Sequence, residues 1–555
     1  MQAAPHPTTT KILLWACCAA FLAAGLWLAV IRPMGSHLDQ VPGELLDSRF
    51  NMVVLEHFYR WSSGLERSYW SAPFFYPYPN ATAFSENLLG TVPFYALFRR
   101  AGLDRETAYQ LWYILGLGLT FPAAAYVLSR LKLPALAVGA GAYFYTFGLR
   151  FMALETHTQM SFRAGIPLAC WLVWEFFQKP RLRTLAALAV TFTWQVYAGI
   201  YGGVFLGMLL AVLAALLAIF ASAGGRWGRL TAWPERIRQA WKQAGGREKL
   251  LAGLVLTGCA AGLALLAWPY YRVTAQYGFY RKWAEIAAML PRPASYLLAD
   301  GSWLYGGLSR LVQDPGLRGD HQLFPGLAVL ALGAAGLALV KRLEQRLAVL
   351  LHLGVAVVLF LLTISYHNLS LYRLLADLPG LSGLRAIERV EVALMWPLAL
   401  LAAAGAGALL QGGRRYARLA QGVAVAVIVL LLLEPILYTH RSFSKAEAQA
   451  RLADVKARLP AVLPQEPILY LADDPRQAAG LPQVDAMLAA QDLGWPTVNG
   501  VSAYFPSLYH IEQSCAEMPG YLKDVMQRLG IQEEGYYQEF LRRLVPVGFA
   551  ECKLY

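Results

Sequence analysis

The chain has 555 residues, of which 57% are hydrophobic and 15% charged, against about 25% charge in a typical soluble protein. With a mean hydropathy of +0.41, this excludes a disordered chain, a coiled coil and an ordinary cytosolic enzyme, and points to a polytopic membrane protein. The 48 Lys and Arg outnumber the 35 Asp and Glu, for a net charge of +13. Much of that excess lies between apolar runs, where a cytoplasmic membrane face places it, and not in a nucleic-acid-binding patch.

A spanning helix needs about 20 mostly apolar residues. The first run, 12–31, is flanked by Lys11 and Arg32. It is too long for the core of a signal peptide and shows no small-residue cleavage site, so it reads as a retained span. Further runs follow at 108–128, 133–149, 164–177, 185–197, 201–222, 250–268, 326–340, 347–364, 392–410 and 419–438, which predicts eleven spans. The stretch 184–222 is too long for one span, and its Gly- and Tyr-rich centre, 197–203, predicts a break into a pair.

The short links at 129–132, 178–184, 223–249, 341–346 and 411–418 hold 18 Lys and Arg but three acids, Glu235, Glu248 and Glu344. Every second link is therefore basic, as expected of the cytoplasmic side. This puts the N-terminus in the cytoplasm and the tail after Tyr438 outside. The link 223–249, basic and with three Trp, is expected to lie on anionic headgroups.

The predicted architecture is a polytopic α-helical membrane unit, 1–438, with external loops 33–107 and 269–325, and a small α/β extracytoplasmic domain, 439–555. Long loops without a role are uncommon in compact proteins, so function is sought there. Cys17, Cys18, Cys170 and Cys259 lie in spans and behave as small apolar residues. Cys515 and Cys552, in the tail, are either a disulfide or two buried thiols.

In the first loop, Phe50, Val53, Val54, Phe58 and Trp61 recur at helical spacing. They predict an amphipathic helix at the membrane interface with Asp47 at its N-cap. That carboxylate can cap backbone N–H groups or take a proton from a nucleophile. The loop also carries Arg49, Glu56 and His57, then an aromatic and proline-rich stretch ending in Glu86, a second external carboxylate or a plain loop acid. After the third span, Arg150, Glu155, His157, Gln159 and Arg163 crowd one turn. Ionisable groups there face a cavity or pair with one another. Glu155 and His157 are spaced poorly for zinc and have no Cys nearby. Asp320 and His321 stand just before a span, as a polar helix start or as ligands. Arg385 and Arg389 are four apart, which on a helix gives one face. Two guanidinium groups suit a phosphate clamp, with pairing to Glu388 and Glu391 the alternative. There is no P-loop, Rossmann glycine fingerprint, H-E-x-x-H or G-x-S-x-G. An outer-face reaction then uses a donor that reaches that face without a nucleotide, such as a sugar on a polyprenyl phosphate.

A first span, a long external loop with an acid opening an interfacial helix (Asp47 in LLDSRFN), many further spans and a tail on the same side resemble the GT-C superfamily of integral membrane glycosyltransferases. Four runs are similar to motifs of uncharacterised bacterial members: 45–49 (LLDSR), 83–90 (AFSENLLG), 319–326 (GDHQLFPG) and 494–500 (GWPTVNG). Arg49 stands where a strict D-x-D has its second acid, so no metal ligand set is expected. A divalent cation, Mg or Mn, near the carboxylates at 47 and 86 stays open.

The resemblance implies transfer of a sugar from a polyprenyl-phosphate donor to a glycan, lipid or protein acceptor, usually with inversion, at the periplasmic face of a bacterial inner membrane. It makes Asp47 the general base, with Glu86 supporting the acceptor. It gives the donor phosphate to Arg385, Arg389 and His321, and assigns substrate contacts to Arg49, Glu56, His57, Glu155, His157, Gln159 and Asp320. The competing readings are a flippase for a lipid-linked sugar, a ligase using a diphosphate-linked glycan, and a non-catalytic envelope scaffold. External rather than mid-span charges, and a single broken helix pair, favour surface chemistry over transport.

Overall fold

The structure, a computed structural model, describes residues 7–220, 232–313, 317–378, 380–411, 417–472, 476–506, 508–511 and 516–548. Each expected apolar run falls on a helix. Helix α1 (Pro7–Ala24) continues as a π-helical stretch, Gly25–Ile31, and a turn of 3-10 helix, Arg32–Met34. Strand β1 (Gln40–Pro42) leads to α2 (Asp47–Ser62), α3 (Val92–Arg100), α4 (Arg105–Ser129), α5 (Ala135–Phe147) and the short α6 (Leu149–Ala153). Then come α7 (Gly165–Gln178), α8 (Leu182–Ala198), α9 (Ile200–Phe220), α10 (Ala232–Gln243) and α11 (Gly246–Tyr277). After α12 (Trp283–Ala288) and α13 (Gly306–Ser309) come α14 (Leu327–Ala338), α15 (Arg346–Thr363), α16 (Glu391–Leu410) and α17 (Ala417–Ile436).

Seven helical segments among the described residues are long and apolar enough to cross a membrane: Lys11–Met34, α4, α9, α11, α15, Ile387–Leu410 and α17. The protein is thus multi-pass. The other four expected spans, α5, α7, α8 and α14, are helices of 13, 14, 17 and 12 residues. The predicted helix break is present: α8 ends at Ala198 and α9 begins at Ile200. One boundary moves. Helix α11 runs on to Tyr277 through Pro269, so the loop expected from 269 begins as helix.

The bundle centres on α16, whose Trp396, Ala399 and Ala406 are fully buried. It meets α14 through small residues, which let helix backbones approach in a membrane. A Cβ on Gly405 would lie 1.8 Å from Leu332 O, and one on Gly336 2.7 Å from Leu401 O. Helix α10 supplies part of the basic link. Its Trp233 stacks on Phe176 and bonds Ala214 O at 3.0 Å, while Trp241 is exposed. The preceding stretch, 221–231, lies outside the described residues.

The expectation of an interfacial amphipathic α2 is corrected. Every residue from Ser48 to His57 except Phe50 is buried, because the tail and the turn after α6 cover the face that would have been wet. The tail adds β2 (Ser442–Ser444), α18 (Lys445–Ala457), β3 (Ile468–Leu471), α19 (Leu481–Leu493), α20 (Met518–Arg528), α21 (Glu534–Arg543) and β4 (Leu544–Val547). Strand β2 pairs antiparallel with β1, Val41 opposite Phe443. Strands β3 and β4 pair in parallel, Leu469 opposite Val545. Gln491 donates to Val53 O at 2.9 Å, and Tyr76 stacks on Phe540. The tail therefore shares its core with the first loop. Cys515 and Cys552 lie outside the described residues.

A candidate active site between the first loop, the helix break and the tail

Gly43, at φ +100°, turns the chain into α2. A Cβ there would lie 1.8 Å from Ser48 Oγ and 2.7 Å from Glu155 O, so only glycine fits. Leu46 holds the N-cap place and no side chain caps the helix. Asp47 is therefore the first helical residue and not the predicted cap, which leaves its carboxylate open to a cavity of about 1150 Å³. One turn later Asn51 reaches the same cavity and donates to Gln159 Oε1 at 2.9 Å. Gln159 in turn lies 3.5 Å from Glu86 Oε2.

Glu86 sits at the helix break. Its Oε1 accepts the Tyr201 backbone N–H at 3.0 Å, one of the free donors at the start of α9, where negative charge is stabilised. The loop carrying it docks tightly there: Gly90 N donates to Tyr197 O at 2.7 Å, and a Cβ on Gly90 would come within 2.6 Å of Ala198 N.

Three guanidinium groups line the same hollow, those of Arg281, Arg385 and Arg389. Arg385 and Arg389 do not share a regular helix face. Arg385 precedes a 3-10 turn, Ile387–Val390, that leads into α16. Arg389 lies over the Tyr201 ring, 4.8 Å from its centroid, and donates to His157 Nε2 at 3.0 Å. The Tyr201 hydroxyl accepts from Arg385 N and Ala386 N. Arg281 stacks on Tyr504, 3.8 Å from its centroid, pairs with Glu285 at 3.1 Å and donates to Ala503 O. The tail segment 501–504 thus forms a wall of the cavity, and Tyr504 donates to Gly383 O at 2.9 Å. An opposite wall is apolar, from Val196, Val204, Leu263, Leu266 and Val273.

Electrostatics follow from this crowding. Partial burial raises the Asp47 carboxyl from its ordinary value; Arg389 opposes this, Asp320 reinforces it and Arg385 opposes it less. Burial and the cations Arg389, Arg150, Arg385 and Arg441 hold His157 well below the usual histidine range. His157 Nδ1 is 3.8 Å from Asp47 Oδ2. A neutral imidazole at that distance is not an ion pair.

Of the predicted residues, Asp47, Glu86, His157, Gln159, Arg385 and Arg389 converge on this one cavity. The others do not line it. Arg49 pairs with Asp485 of α19 at 2.6 Å, both buried. Glu56 accepts from Tyr95 at 2.6 Å and from Arg99 at 2.8 and 3.0 Å. His57 is bonded to Tyr69 O at 2.8 Å. Glu155 accepts from His440 and from Arg441 N, fastening the start of the tail. His321 is fully buried beside Arg292. Asp320 reaches Asp47 only through its charge. Sequence reasoning missed Asn51, Tyr201, Arg281 and Tyr504. Asn51 was legible, four residues after Asp47 on one helix face. Arg281 and Tyr504 come together only through the tail.

Among the described residues no three His, Cys, Asp or Glu side chains gather into a metal-ligand set. Glu86 is engaged by Tyr201 N and Gln159, and His157 Nε2 by Arg389. Asp47 and Glu86 remain two carboxylates on one cavity, short of a closed metal-ligand set.

No protein-family model matches the chain, and no curated protein matches it. Solved structures do. An oligosaccharyltransferase from Archaeoglobus fulgidus, tethered by a disulfide bond to an acceptor peptide containing the NVT sequon, superposes with a TM-score of 0.50 at 11% identity, over 94% of this chain and 68% of that one. The same archaeal enzyme in complex with Zn and sulfate gives 0.48 at 11%, over 93% and 67%. With an inhibitory peptide and a dolichol-phosphate it gives 0.47 at 11%, over 94% and 69%. The chain thus has a multi-pass membrane fold similar to that of the archaeal oligosaccharyltransferase.

Proposed function

We propose that the protein is a membrane glycosyltransferase that moves a sugar from a polyprenyl-phosphate donor to a hydroxyl or amide of a glycan, lipid or protein acceptor. One observation carries the reading: Asp47 shares a single cavity with Arg281, Arg385 and Arg389, and that cavity has an apolar wall from α9 and α11. A carboxylate, a set of cations and a greasy wall match the acceptor proton, the leaving phosphate and the lipid chain in turn.

In the reaction Asp47 removes the acceptor proton as the acceptor atom attacks the anomeric carbon. The bond from that carbon to the phosphate oxygen breaks, and polyprenyl phosphate leaves with the electron pair. Arg385 and Arg389 neutralise the charge that develops on it. Glu86, with Gln159 and Asn51, orients the acceptor. Attack opposite the leaving group inverts the anomeric centre. The site then faces the periplasm, with the basic links in the cytoplasm of a bacterial inner membrane, and 439–555 acts as an extracytoplasmic domain that walls the site. Asp320 acts on the site at a distance, through its charge on Asp47.

Purified protein in nanodiscs, supplied with radiolabelled polyprenyl-phosphate sugar and a mixed envelope acceptor fraction, tests this. Label should move to the acceptor, and Asp47→Asn should stop it. Label that crosses the bilayer still attached to the lipid would establish a flippase instead, and transfer undiminished in Asp47→Asn would remove the base.

A further inference from the structure

One ring nitrogen of His157 is hydrogen-bonded and the other lies near the Asp47 carboxylate. Arg389 Nη2 is 3.0 Å from Nε2, and a guanidinium can only donate. Nε2 must therefore present its lone pair, and the hydrogen-bond network assigns the proton of the neutral ring to Nδ1. That N–H lies towards Asp47 Oδ2, 3.8 Å away. The gap exceeds a hydrogen bond by less than about 1 Å, and such contacts at active sites often tighten only when substrate binds. The charged groups around the ring are Arg389, Arg150, Arg385 and Arg441, with Asp47 opposite them. A second proton is thus unwelcome, and no lone pair remains for substrate or metal. The ring sits in a kink, at φ −117° and ψ 57°, inside the turn Glu155–Ser161, which Glu155 pins to the start of the tail.

We propose that His157 is a positioning residue, a neutral Nδ1–H imidazole joining the Asp47 carboxylate to the Arg389 guanidinium, so that phosphate bound at Arg389 is felt at the base. The donor part rests on the glycosyl-transfer reading. Arg389 is the strongest of the cations that keep Asp47 acidic. A phosphate on Arg389 cancels that charge and makes Asp47 the stronger base only when donor is in place. An acceptor arriving first meets a weaker base.

Two measurements test the coupling. In 15N NMR of full-length histidine-labelled protein in nanodiscs, with the signal of residue 157 assigned by its loss in His157→Asn, the ring should remain neutral and Nδ1-protonated through the range where an ordinary histidine titrates. In Arg389→Gln it should titrate closer to the ordinary value of about 6.5. An Nε2–H tautomer, or wild-type titration near the ordinary value, overturns the proposal whether or not the protein turns over. In kinetics, the acid limb of kcat should lie above that of kcat/KM for donor, because kcat reports the donor-bound base. The gap should close in His157→Phe and reopen in His157→Asn, which can still donate to Asp47. A gap unchanged in His157→Phe refutes the coupling. Should His157→Phe not fold, His157→Leu, which likewise offers no donor to Asp47, serves instead, with the same closing of the gap expected. Absence of any turnover by the wild type defeats the glycosyltransferase reading, and the NMR result then decides the coupling by itself.

Discussion

Arg389 donates to His157 Nε2 across 3.0 Å, whereas the side chain of Arg385, four residues earlier, is exposed and has no bonded partner among the described residues. The two arginines should therefore fail differently. A lost charge-assisted hydrogen bond is worth about 1.5–3 kcal/mol, so Arg385→Gln should lower kcat/KM for the donor at least about tenfold with the melting temperature nearly unchanged. Arg389→Gln should lower kcat and the melting temperature as well, since His157 and Tyr201 both rest on it. Donor titrations with thermal melts on each variant separate the two patterns.

Asp47→Asn should reduce transfer by about 10²–10⁴-fold, the usual contribution of a positioned general base. Its stability should match wild type, because the carboxylate caps nothing and is nearly half exposed. Turnover and melting are measured on one preparation; a collapsed melting temperature would assign Asp47 a structural role.

The pH dependence has a definite sign. Asp47 must be ionised to accept a proton, and burial raises its pKa. The rate should rise with pH along a limb above the ordinary aspartate value of about 3.9. Its folding linkage has the same origin. Stability from the protonated form is complete below the unfolded pKa and is lost as pH rises through the folded one. In Asp47→Asn that loss should vanish from a series of melts across the acid range.

Glu56 separates structure from chemistry. Glu56→Ala strands Arg99 and the Tyr95 hydroxyl, and breaking a buried pair costs roughly 3 kcal/mol. Transfer per folded molecule should hold, as Glu56 does not line the cavity. Activity normalised to the folded fraction checks this.

Gly90→Ala tests the seat of Glu86. The added Cβ would overlap Ala198 N and Tyr197 C. Overpacking typically costs about 1–3 kcal/mol, and lifting the loop off the helix break draws Glu86 from Tyr201 N. Acceptor KM should rise while donor KM stays put.

The eleven apolar runs, the break at 197–203 and the polar turn after the third span were legible because hydrophobic length and glycine placement act locally. Asp47, Glu86, His157, Gln159, Arg385 and Arg389 were legible because polar groups among apolar helices are costly without a partner or a task. Arg49, Glu56, His57 and Glu155 carried the same signal for another reason. Each is satisfied by a partner elsewhere: Arg49 by Asp485, Glu56 by Arg99 and Glu155 by the His440–Arg441 turn, all distant in the chain, and His57 by the nearby Tyr69 carbonyl.

Composition and periodicity alone determined that this chain is a multi-pass helical protein and which short segments bear its polar residues. Only the tertiary structure decided which of those residues meet. The tail folds back over α2, buries a helix that its own pattern would leave at the lipid surface, and carries Tyr504 to Arg281. Pairing between residues hundreds of positions apart depends on how the layers close over one another, and no local rule of spacing encodes that.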